Sequence, residues 1–201
     1  MIKLIGKVPS DIYVACSGGA DSMAALDFLS NSKRKITVIH FDHGTEYGSI
    51  ARKVVRSYCE SSKIDMVVHE IKGSPGKNES LEAWWRDQRY EVLNSLDKTV
   101  VTGHNLNDVA EWWIFTSLRG NPRLMPQSTL NVIKPFLLTE KKSLELWCDR
   151  NDIQYAIDPS NFGNRFSRSK IRQKIMPEAL SINPGFLTVM SKKIKERFCE
   201  T

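Results

Sequence analysis

The stretch Ser-Gly-Gly-Ala-Asp-Ser at positions 17–22 constrains the fold of this chain more than any other feature. It follows an apolar run at 12–16 and precedes an apolar segment at 23–29, so it joins a predicted strand to a predicted helix. Adjacent glycines let a backbone approach an anion closely, and a helix start offers free N–H groups and partial positive charge. The predicted phosphate-binding residues are Ser17, Gly18, Gly19, Ala20, Asp21 and Ser22.

Asp21 is unusual in a loop that binds anions. A carboxylate beside a pyrophosphate is explained if it holds Mg²⁺, which takes one or two carboxylates together with phosphate oxygens. The loop matches neither the GxxxxGKS/T nor the GxGxxG pattern of other nucleotide-binding proteins. From the six residues alone, a flexible turn in which Asp21 and Ser22 cap a helix is an open alternative.

Short apolar runs alternate with longer amphipathic segments along the chain. Runs typical of buried strands lie at 12–16, 36–41, 66–71 and 99–102, and a fifth at 132–137 contains Pro135, which predicts an edge position. Helical patterns lie at about 20–31, 49–62, 80–96, 106–118, 140–151, 168–180 and 184–198. This order predicts an α/β fold with a doubly wound, mainly parallel five-stranded sheet over residues 1–138 and a helical extension packed on it over 139–201.

The composition agrees with a globular domain. Of the 201 residues 41% are hydrophobic, and 29 basic against 23 acidic side chains give a net charge of +6, which suits a polyanionic partner without requiring one. The cysteines are too widely spread for a zinc or iron–sulfur site. The chain shows no secretion signal and no apolar stretch of about 18 residues, so we expect a cytoplasmic protein that does not enter the membrane.

Polar residues follow two other predicted strands. His40, Asp42 and His43 end the second strand, and His104 ends the fourth. The carboxyl ends of parallel strands meet at one edge of a sheet, where ligands bind, so we expect these residues beside the loop at 17–22. Unpaired histidines without any ligand are the alternative.

Asp108 and Glu111 lie on one face of the helix that follows His104. The same helix carries the apolar residues Trp112, Trp113, Ile114 and Phe115. A carboxylate among such residues requires an ionic or hydrogen-bonding partner, or has a functional role. Asp108 also fits a simpler interpretation, in which Asn105 caps the helix and Asp108 takes the third helical position.

Two groups of arginines complete the candidate set. Arg86 and Arg89 are three residues apart on a helix with Glu82, which also fits a solvated helix face with a Glu82–Arg86 ion pair. Arg165, Arg168 and Arg172 share one helical face, a geometry suited to a triphosphate or an RNA backbone.

The loop at 17–22 resembles the PP-loop of the ATP pyrophosphatases, which have the adenine nucleotide α-hydrolase-like fold. Four further segments resemble one family of this group, the tRNA(Ile)-lysidine synthases. They are the His-x-x-His-Gly stretch at 40–44, the E-x-x-x-R-x-x-R-Y helix at 82–90, the His-x-x-x-Asp-x-x-Glu…Arg-Gly segment at 104–120, and the D-x-S-N…R-x-x-I-R stretch at 158–172. Their order and spacing agree over about residues 10–185.

This resemblance implies a ligase that uses ATP and Mg²⁺ to adenylate a cytidine at the wobble position of a tRNA anticodon. Free lysine would then displace AMP, so tRNA(Ile) with a CAU anticodon and lysine would be the substrates; a homodimer is left open. The implied catalytic residues are Asp21, Arg86, His104, Asp108, Glu111, Arg168 and Arg172. His40 and Asp42 are implied to join the loop in binding ATP, and Asp21 is the implied Mg²⁺ ligand.

Three departures from the family pattern accompany the resemblance. Asn107 stands where the family commonly has a second aspartate, and Thr45-Glu46 replaces Leu-Arg. The chain ends near the close of the catalytic N-terminal domain, so we expect the family's C-terminal domains to be absent.

Three other functions are also compatible with the fold class. A tRNA 2-thiolation enzyme of the same group needs a catalytic cysteine pair, for which Cys16, Cys59, Cys148 and Cys199 lack the spacing. A non-catalytic nucleotide- or tRNA-binding relative would not require the acidic residues Asp21, Asp108 and Glu111. A ligase that amidates a small molecule is the third.

Overall fold

The computed structural model describes residues 1–77, 80–157 and 167–198. The strands are β1 (Asp11–Ala15), β2 (Lys35–Asp42), β3 (Asp65–Glu70), β4 (Val100–Thr102), β5 (Ser128–Thr129) and β6 (Val132–Ile133). They form one sheet in the order β3-β2-β1-β4-β6-β5, parallel except for the β5–β6 pair. The α/β, mainly parallel architecture predicted from the sequence is confirmed.

Helices follow the parallel strands. They are α1 (Ala20–Ser30), α2 (Glu46–Ser62), α3 (Leu81–Ser95), α4 (Leu106–Ser117), α5 (Lys141–Arg150), α6 (Ser167–Lys170), α7 (Met176–Ile182) and α8 (Phe186–Phe198), with a π-helical segment (Ile171–Ile175) between α6 and α7. The helical pattern predicted at about 168–180 is confirmed, with a π-helical segment inside it that the pattern does not predict. Pro177 lacks the N–H that would bond to the carbonyl of Gln173, and this disrupts the α-helical pattern at that point.

The sheet has six strands, where the sequence predicted five. The predicted fifth strand is reduced to Val132–Ile133, since Pro135 has no N–H to offer a neighbouring strand. The additional strand, Ser128–Thr129, is too short to leave an alternating pattern in the sequence.

Each face of the sheet is covered, because side chains alternate along β1. Ile12 and Val14 are fully buried in the main core with α1, α2 and α5. Tyr13 and Ala15 point to the other face and pack with Leu93 of α3. Two-sided cover is the doubly wound arrangement that the strand–helix order predicts.

The carboxy-terminal helices pack against α4. Met190 and Ile194 of α8 are buried with Leu106, Val109 and Ala110 of α4. The division at residue 138 into a domain and an extension stays a prediction. Within the described ranges no helix is both long and apolar enough to cross a bilayer.

The strand order places one crevice at the centre of the sheet. From β1, the chain proceeds to β2 and β3 on one side, and β4 and β6 lie on the other. In open parallel sheets, such a reversal of strand order leaves a crevice at the carboxyl ends of the strands, where ligands bind. The loops after β1 and β4 flank this crevice.

Candidate active site

Gly18 is the residue that shapes the loop after β1. Its φ is +86°, and a Cβ there would lie 3.0 Å from both the Cβ and the carbonyl oxygen of Ala51 in α2. Gly19 has a φ of −77°, and a Cβ there would approach only the Ser17 hydroxyl, at 3.7 Å. Of the two adjacent glycines, Gly18 alone therefore needs the absence of a side chain.

Hydrogen bonds within the loop use the hydroxyl of Ser22. This oxygen accepts from the backbone N–H of Ser17 at 3.1 Å and donates to the carbonyl of Gly19 at 2.9 Å. The carbonyl of Gly18 accepts from the backbone N–H of Ala156 at 2.8 Å. Gly19 supplies no side-chain cap to α1, so the free N–H groups of the first helical turn are the loop's donors to an anion.

Asp21, in the first turn of α1, has one carboxylate oxygen without a donor. Its Oδ1 is buried and has no hydrogen-bond partner among the described residues, while Oδ2 lies 3.5 Å from Nζ of Lys141. Burial raises the pKa of Asp21 to about 6; Lys141 opposes the rise and Asp108 adds to it. An unsatisfied carboxylate oxygen beside a phosphate-binding helix end fits a Mg²⁺ ligand.

A metal ion at Asp21 needs ligands other than protein side chains. In the part of the chain that the structure describes, no three His, Cys, Asp or Glu side chains cluster around a common point. Mg²⁺ commonly keeps waters and takes phosphate oxygens in addition to one or two carboxylates. The residues present therefore fit a cation that arrives with a nucleotide.

Asn107 positions the lysine that faces Asp21. Its Oδ1 accepts from the backbone N–H of Lys141 at 3.0 Å, at the start of α5. The side chain of Glu140, the residue before α5, makes no capping hydrogen bond to this helix. Asn107, one of the departures from the family pattern, thus has an acceptor role that a carboxylate oxygen could also fill.

The end of β2 supports the loop rather than facing open solvent. His40 is 1% exposed, and its Nδ1 lies 2.9 Å from the carbonyl oxygen of Cys16, so Nδ1 carries the donated proton. Burial lowers the pKa of His40. Asp42 accepts from the backbone N–H of Gly44 at 2.9 Å and pairs with Arg52 at 3.4 Å. His40 and Asp42, both predicted to bind ATP, thus each form at least one hydrogen bond or ion pair within the protein.

His43 packs on an aromatic ring. Its centroid lies 4.6 Å from that of Trp85. Burial lowers the pKa of His43 to about 4, and the positive charges of Arg89 and His40 add to the effect. The imidazole is therefore neutral at pH 7 and offers an apolar, stacked surface beside the loop.

The loop after β4 meets the loop after β1 at Gly103. A Cβ there would lie 2.9 Å from the carbonyl oxygen of Asp21, so the two loops touch backbone to backbone. His104 follows, with Nδ1 2.8 Å from Oγ1 of Thr102. Burial lowers the pKa of His104 to about 4; the cations Lys134, Arg168 and Arg86 lower it further, while Asp108 opposes them. His104 is therefore neutral at pH 7.

Asp108 and Glu111 are joined through Arg172. Arg172 donates from Nε to Oε1 of Glu111 at 2.8 Å and from Nη2 to Oε2 at 2.9 Å, and the same Nη2 lies 3.5 Å from Oδ1 of Asp108. Burial raises the pKa of Glu111, and Arg172 opposes the rise. The partner that a buried Glu111 requires is thus Arg172, which is 61 positions away in the sequence.

Asp108 also completes a capping box at the start of α4. Its Oδ2 accepts from the backbone N–H of Asn105 at 2.9 Å, and the Asn105 side chain accepts from the N–H groups of Asn107 and Asp108. The capping interpretation made from the sequence is confirmed. It leaves Oδ1 as the oxygen that faces Arg172.

Three cations gather near His104. The guanidinium carbons of Arg86 and Arg168 lie 6.0 and 5.8 Å from the ring centroid of Trp112. Lys134 follows β6 and is 3% exposed. Sequence reasoning missed Lys134 and Lys141; the signal for Lys134 is a lysine inside the apolar run at 132–137.

Part of the predicted set lies outside the described residues. This applies to Asp158, Ser160, Asn161 and Arg165 of the fourth resembling segment, and to Cys199. The interpretation of Glu82 and Arg86 as an ion pair involves a side chain that also lies outside them.

Comparison with known proteins agrees with this geometry. The family model described as a PP-loop domain matches residues 2–179. A tRNA(Ile)-lysidine synthase of Francisella philomiragia is 28% identical over 96% of this chain and 52% of that protein. Those of Thermosipho africanus and Staphylococcus aureus are 33% and 31% identical, over 87% and 85% of this chain and 45% and 44% of their own lengths. The chain spans about half the length of these curated relatives.

Solved structures share the fold at low sequence identity. An NMN synthetase from Francisella tularensis superposes with a TM-score of 0.54 at 9% identity, covering 96% of this chain and 87% of that one. An NH3-dependent NAD synthetase from Campylobacter jejuni gives 0.51 at 12% identity, covering 94% and 86%. At this identity the likeness concerns the fold alone.

Proposed function

Because this chain belongs to the PP-loop domain family, we propose that it binds ATP at the loop of residues 17–22 and splits it between the α- and β-phosphates. One observation carries the proposal. The uncapped first turn of α1 and the close approach at Gly18 stand beside Asp21, whose Oδ1 has no donor among the described residues. An anion site and a carboxylate for its counter-cation thus occupy one helix end.

The pyrophosphate leaving group would lie against the N–H groups of the loop. Asp21 would hold Mg²⁺, which supplies charge neutralisation for the phosphates when bound. Lys141, 3.5 Å from Asp21, adds a second positive charge at the same end of α1. His40, through its bond to the carbonyl of Cys16, would keep the loop in its binding conformation. Catalysis in this half is alignment and charge stabilisation.

For the second half of the site, we propose that the acceptor is a tRNA cytidine. The C2 oxygen of the base attacks the α-phosphorus, pyrophosphate leaves, and the amine of free lysine then attacks C2 and expels AMP. Support comes from the lysidine synthases that align with most of this chain and from the segment at 104–111, which resembles that family's pattern. The product would be lysidine.

The side chains near β4 suit these two steps. His104 is neutral at pH 7 and bonded on one side to Thr102, so its other ring nitrogen can bind the adenylated oxygen. Asp108 is held by its capping bond and by Arg172, and would orient the incoming amine and accept its proton, since only a neutral amine attacks. Glu111 would fix Arg172 in place.

Thiol chemistry is the rival within the same group. A 2-thiolation enzyme needs an accessible cysteine of low pKa. Cys16, Cys59 and Cys148 are all buried, and burial raises the pKa of each, to about 12 for Cys59 and Cys148. These observations favour carbon–nitrogen bond formation. A homodimer and a cytoplasmic location stay predictions.

The proposal is tested by ATP turnover with radiolabelled lysine and a panel of tRNAs. We expect AMP and pyrophosphate, with lysine incorporated only into tRNA(Ile) carrying a CAU anticodon. AMP formation without lysine on any tRNA would refute the substrate assignment and leave the ATP site standing. Unchanged AMP formation by Asp21→Ala would refute the ATP site.

A further inference from the structure

Lys134 is a buried lysine without a carboxylate partner. It is 3% exposed, and no Asp or Glu within 1–77, 80–157 or 167–198 lies within ion-pair distance of its ammonium. Burial lowers its pKa to about 8, and the charge of Arg86 lowers it further. Its backbone N–H bonds to the carbonyl of Gln127, so the strand end that carries it is fixed.

Two further cations, Arg86 and Arg168, act on His104 together with Lys134; Arg86 is exposed and Arg168 is half-buried. Arg86 and Arg168 stack near Trp112, and neither forms an ion pair with a described carboxylate. All three positive charges lower the pKa of His104, so all three lie near it. Arg172 differs, because Glu111 and Asp108 neutralise it.

Three like charges held together oppose folding unless an anion completes the group. The arrangement therefore has the character of a binding site, where a protein gives up stability for function. Cations without an ion pair to a described carboxylate, one of them buried, are expected where a ligand supplies the negative charge.

The position of the cluster indicates which anion it binds. In the sheet order, β4 stands between β1, which carries the ATP loop, and β6, which carries Lys134. The cluster is thus on the acceptor side of His104, away from the triphosphate. Free lysine brings two ammonium groups against one carboxylate and is repelled by three cations, whereas an RNA strand brings one phosphate per nucleotide.

We propose that Lys134, with Arg86 and Arg168, binds a phosphodiester of the RNA strand next to the nucleotide that is adenylated. This inference rests on the proposed function, because it takes the acceptor to be RNA. Lys134 contacts the strand backbone, so it contributes affinity without selecting the base.

The test is the salt dependence of RNA binding by the full chain. Fluorescence anisotropy with tRNA(Ile) carrying a CAU anticodon, and with an oligouridylate of similar length, is measured for the wild type, Lys134→Met and Lys193→Met. Lys193 lies on the exposed face of α8 and serves as the matched control. Losing one phosphate contact should reduce the slope of log K against log salt by about 0.7–0.9 for Lys134→Met with both RNAs.

Protonation of Lys134 gives a second readout. Arg86 from α3 is the charged group that acts on Lys134, and Arg168 from α6 acts with both of them on His104 in the loop after β4. Guanidinium groups stay charged and His104, with a pKa of about 4, stays neutral between pH 7 and 9. The RNA affinity of the wild type should therefore fall several-fold from pH 7 to 9. The RNA affinities of Lys134→Arg and Lys134→Met should not change over this pH range.

Thermal unfolding distinguishes a role of Lys134 in RNA binding from a role in stabilising the fold. Lys134→Met replaces a buried charge by an apolar chain of similar length, so its Tm should equal or exceed that of the wild type. A lowered Tm with the wild-type salt slope would overturn the inference and make Lys134 a structural residue. Wild-type AMP formation together with an unchanged slope in Lys134→Met overturns the phosphate contact alone. Lack of AMP formation by the wild type, with a Lys134-dependent slope, overturns the proposed function alone.

Discussion

Helix α1 carries an aspartate near each end, and the two carboxylates have opposite surroundings. Asp27, at the amino edge of the sheet, accepts from the hydroxyl of Tyr58 at 2.8 Å, the amide of Asn31 at 3.1 Å and the indole N–H of Trp147 at 2.7 Å. Asp21, at the carboxyl edge, keeps Oδ1 without a donor among the described residues. One helix thus holds a satisfied carboxylate and an unsatisfied one.

We infer from this difference that Asp27 has a structural role and Asp21 a role in binding a ligand. Hydrogen bonds at the amino edge close a polar network that joins α1, α2 and α5. The carboxyl edge holds polar atoms without a hydrogen-bond partner among the described residues: Oδ1 of Asp21 and Nε2 of His40. Since a buried polar group without a partner lowers stability, these two atoms are candidates for contact with a ligand.

The largest effect is expected for Asp21→Asn. AMP and pyrophosphate formation should fall about 10²–10³-fold, the range found when a group that stabilises transition-state charge is removed. Asp27→Asn is the control on the same helix, and its turnover per folded molecule should stay near that of the wild type. Equal losses of turnover in the two variants would show that the two ends of α1 do not differ in role.

Stability should respond to Asp21→Asn in the opposite direction. The folded-state pKa of Asp21 is about 6, above the ordinary value of 3.8, so ionisation of this carboxyl destabilises the fold as pH rises through that interval. The variant should therefore gain on the order of 1–3 kcal/mol over the wild type at pH 7 and nothing near pH 3.5. Denaturant titrations at both pH values measure it; a gain that does not change with pH would contradict the raised pKa.

Glu111 tests the paired charges at the carboxyl edge. Glu111→Gln should destabilise the fold by about 3 kcal/mol, because it leaves the Arg172 charge without its carboxylate. We place the loss at the low end of the range for buried pairs, since the Arg172 side chain is 40% exposed and water can reach it. Urea unfolding measures the loss, and the double variant Glu111→Leu, Arg172→Met should recover most of it.

Asp27→Asn should cost about 1–3 kcal/mol of unfolding free energy, since it turns an acceptor of three hydrogen bonds into a group with one acceptor oxygen. Trp147→Phe, which removes one of the three donors, is the comparison and should cost less. Thermal unfolding measures both. A stable Asp27→Asn variant would mean that the amino-edge network is not a structural one.

The smallest effect distinguishes the two glycines of the loop. Gly18→Ala should cost about 1–2 kcal/mol, because φ is +86° and the new Cβ would meet the backbone of Ala51. Gly19→Ala places its Cβ in ordinary contact with the Ser17 hydroxyl, at 3.7 Å and with an ordinary φ, and should cost well under about 1 kcal/mol. Chemical denaturation of the pair measures the difference, and equal costs would contradict the loop conformation.

The position of the loop of residues 17–22 between a strand and a helix is predicted from the sequence, because its residues are contiguous and follow an apolar run. The capping pair Asn105 and Asp108 is predicted for the same reason, since both partners lie within one helical turn. Pairings between distant residues leave no such pattern: Glu111 with Arg172, and Asp21 with Lys141, are decided by how helices pack. The burial of Lys134 is likewise a property of the folded chain.

Strand boundaries show the same limit. Four strands with apolar runs are predicted to within one residue at each end. The two-residue strands β5 and β6 are held by a few backbone bonds and need no apolar pattern. The π-helical segment, which carries Arg172, follows from Pro177 and cannot be distinguished from α-helix by periodicity.

The central claim is that the adenylyl group passes from ATP at the loop of residues 17–22 to RNA at the side chains near β4. A single-turnover reaction with ATP labelled at the α-phosphate, tRNA(Ile) with a CAU anticodon and no lysine tests it directly. We predict label bound covalently to the tRNA, and its release as AMP when lysine is added. Formation of ADP, or of AMP with no label on the RNA at any time, would contradict the account.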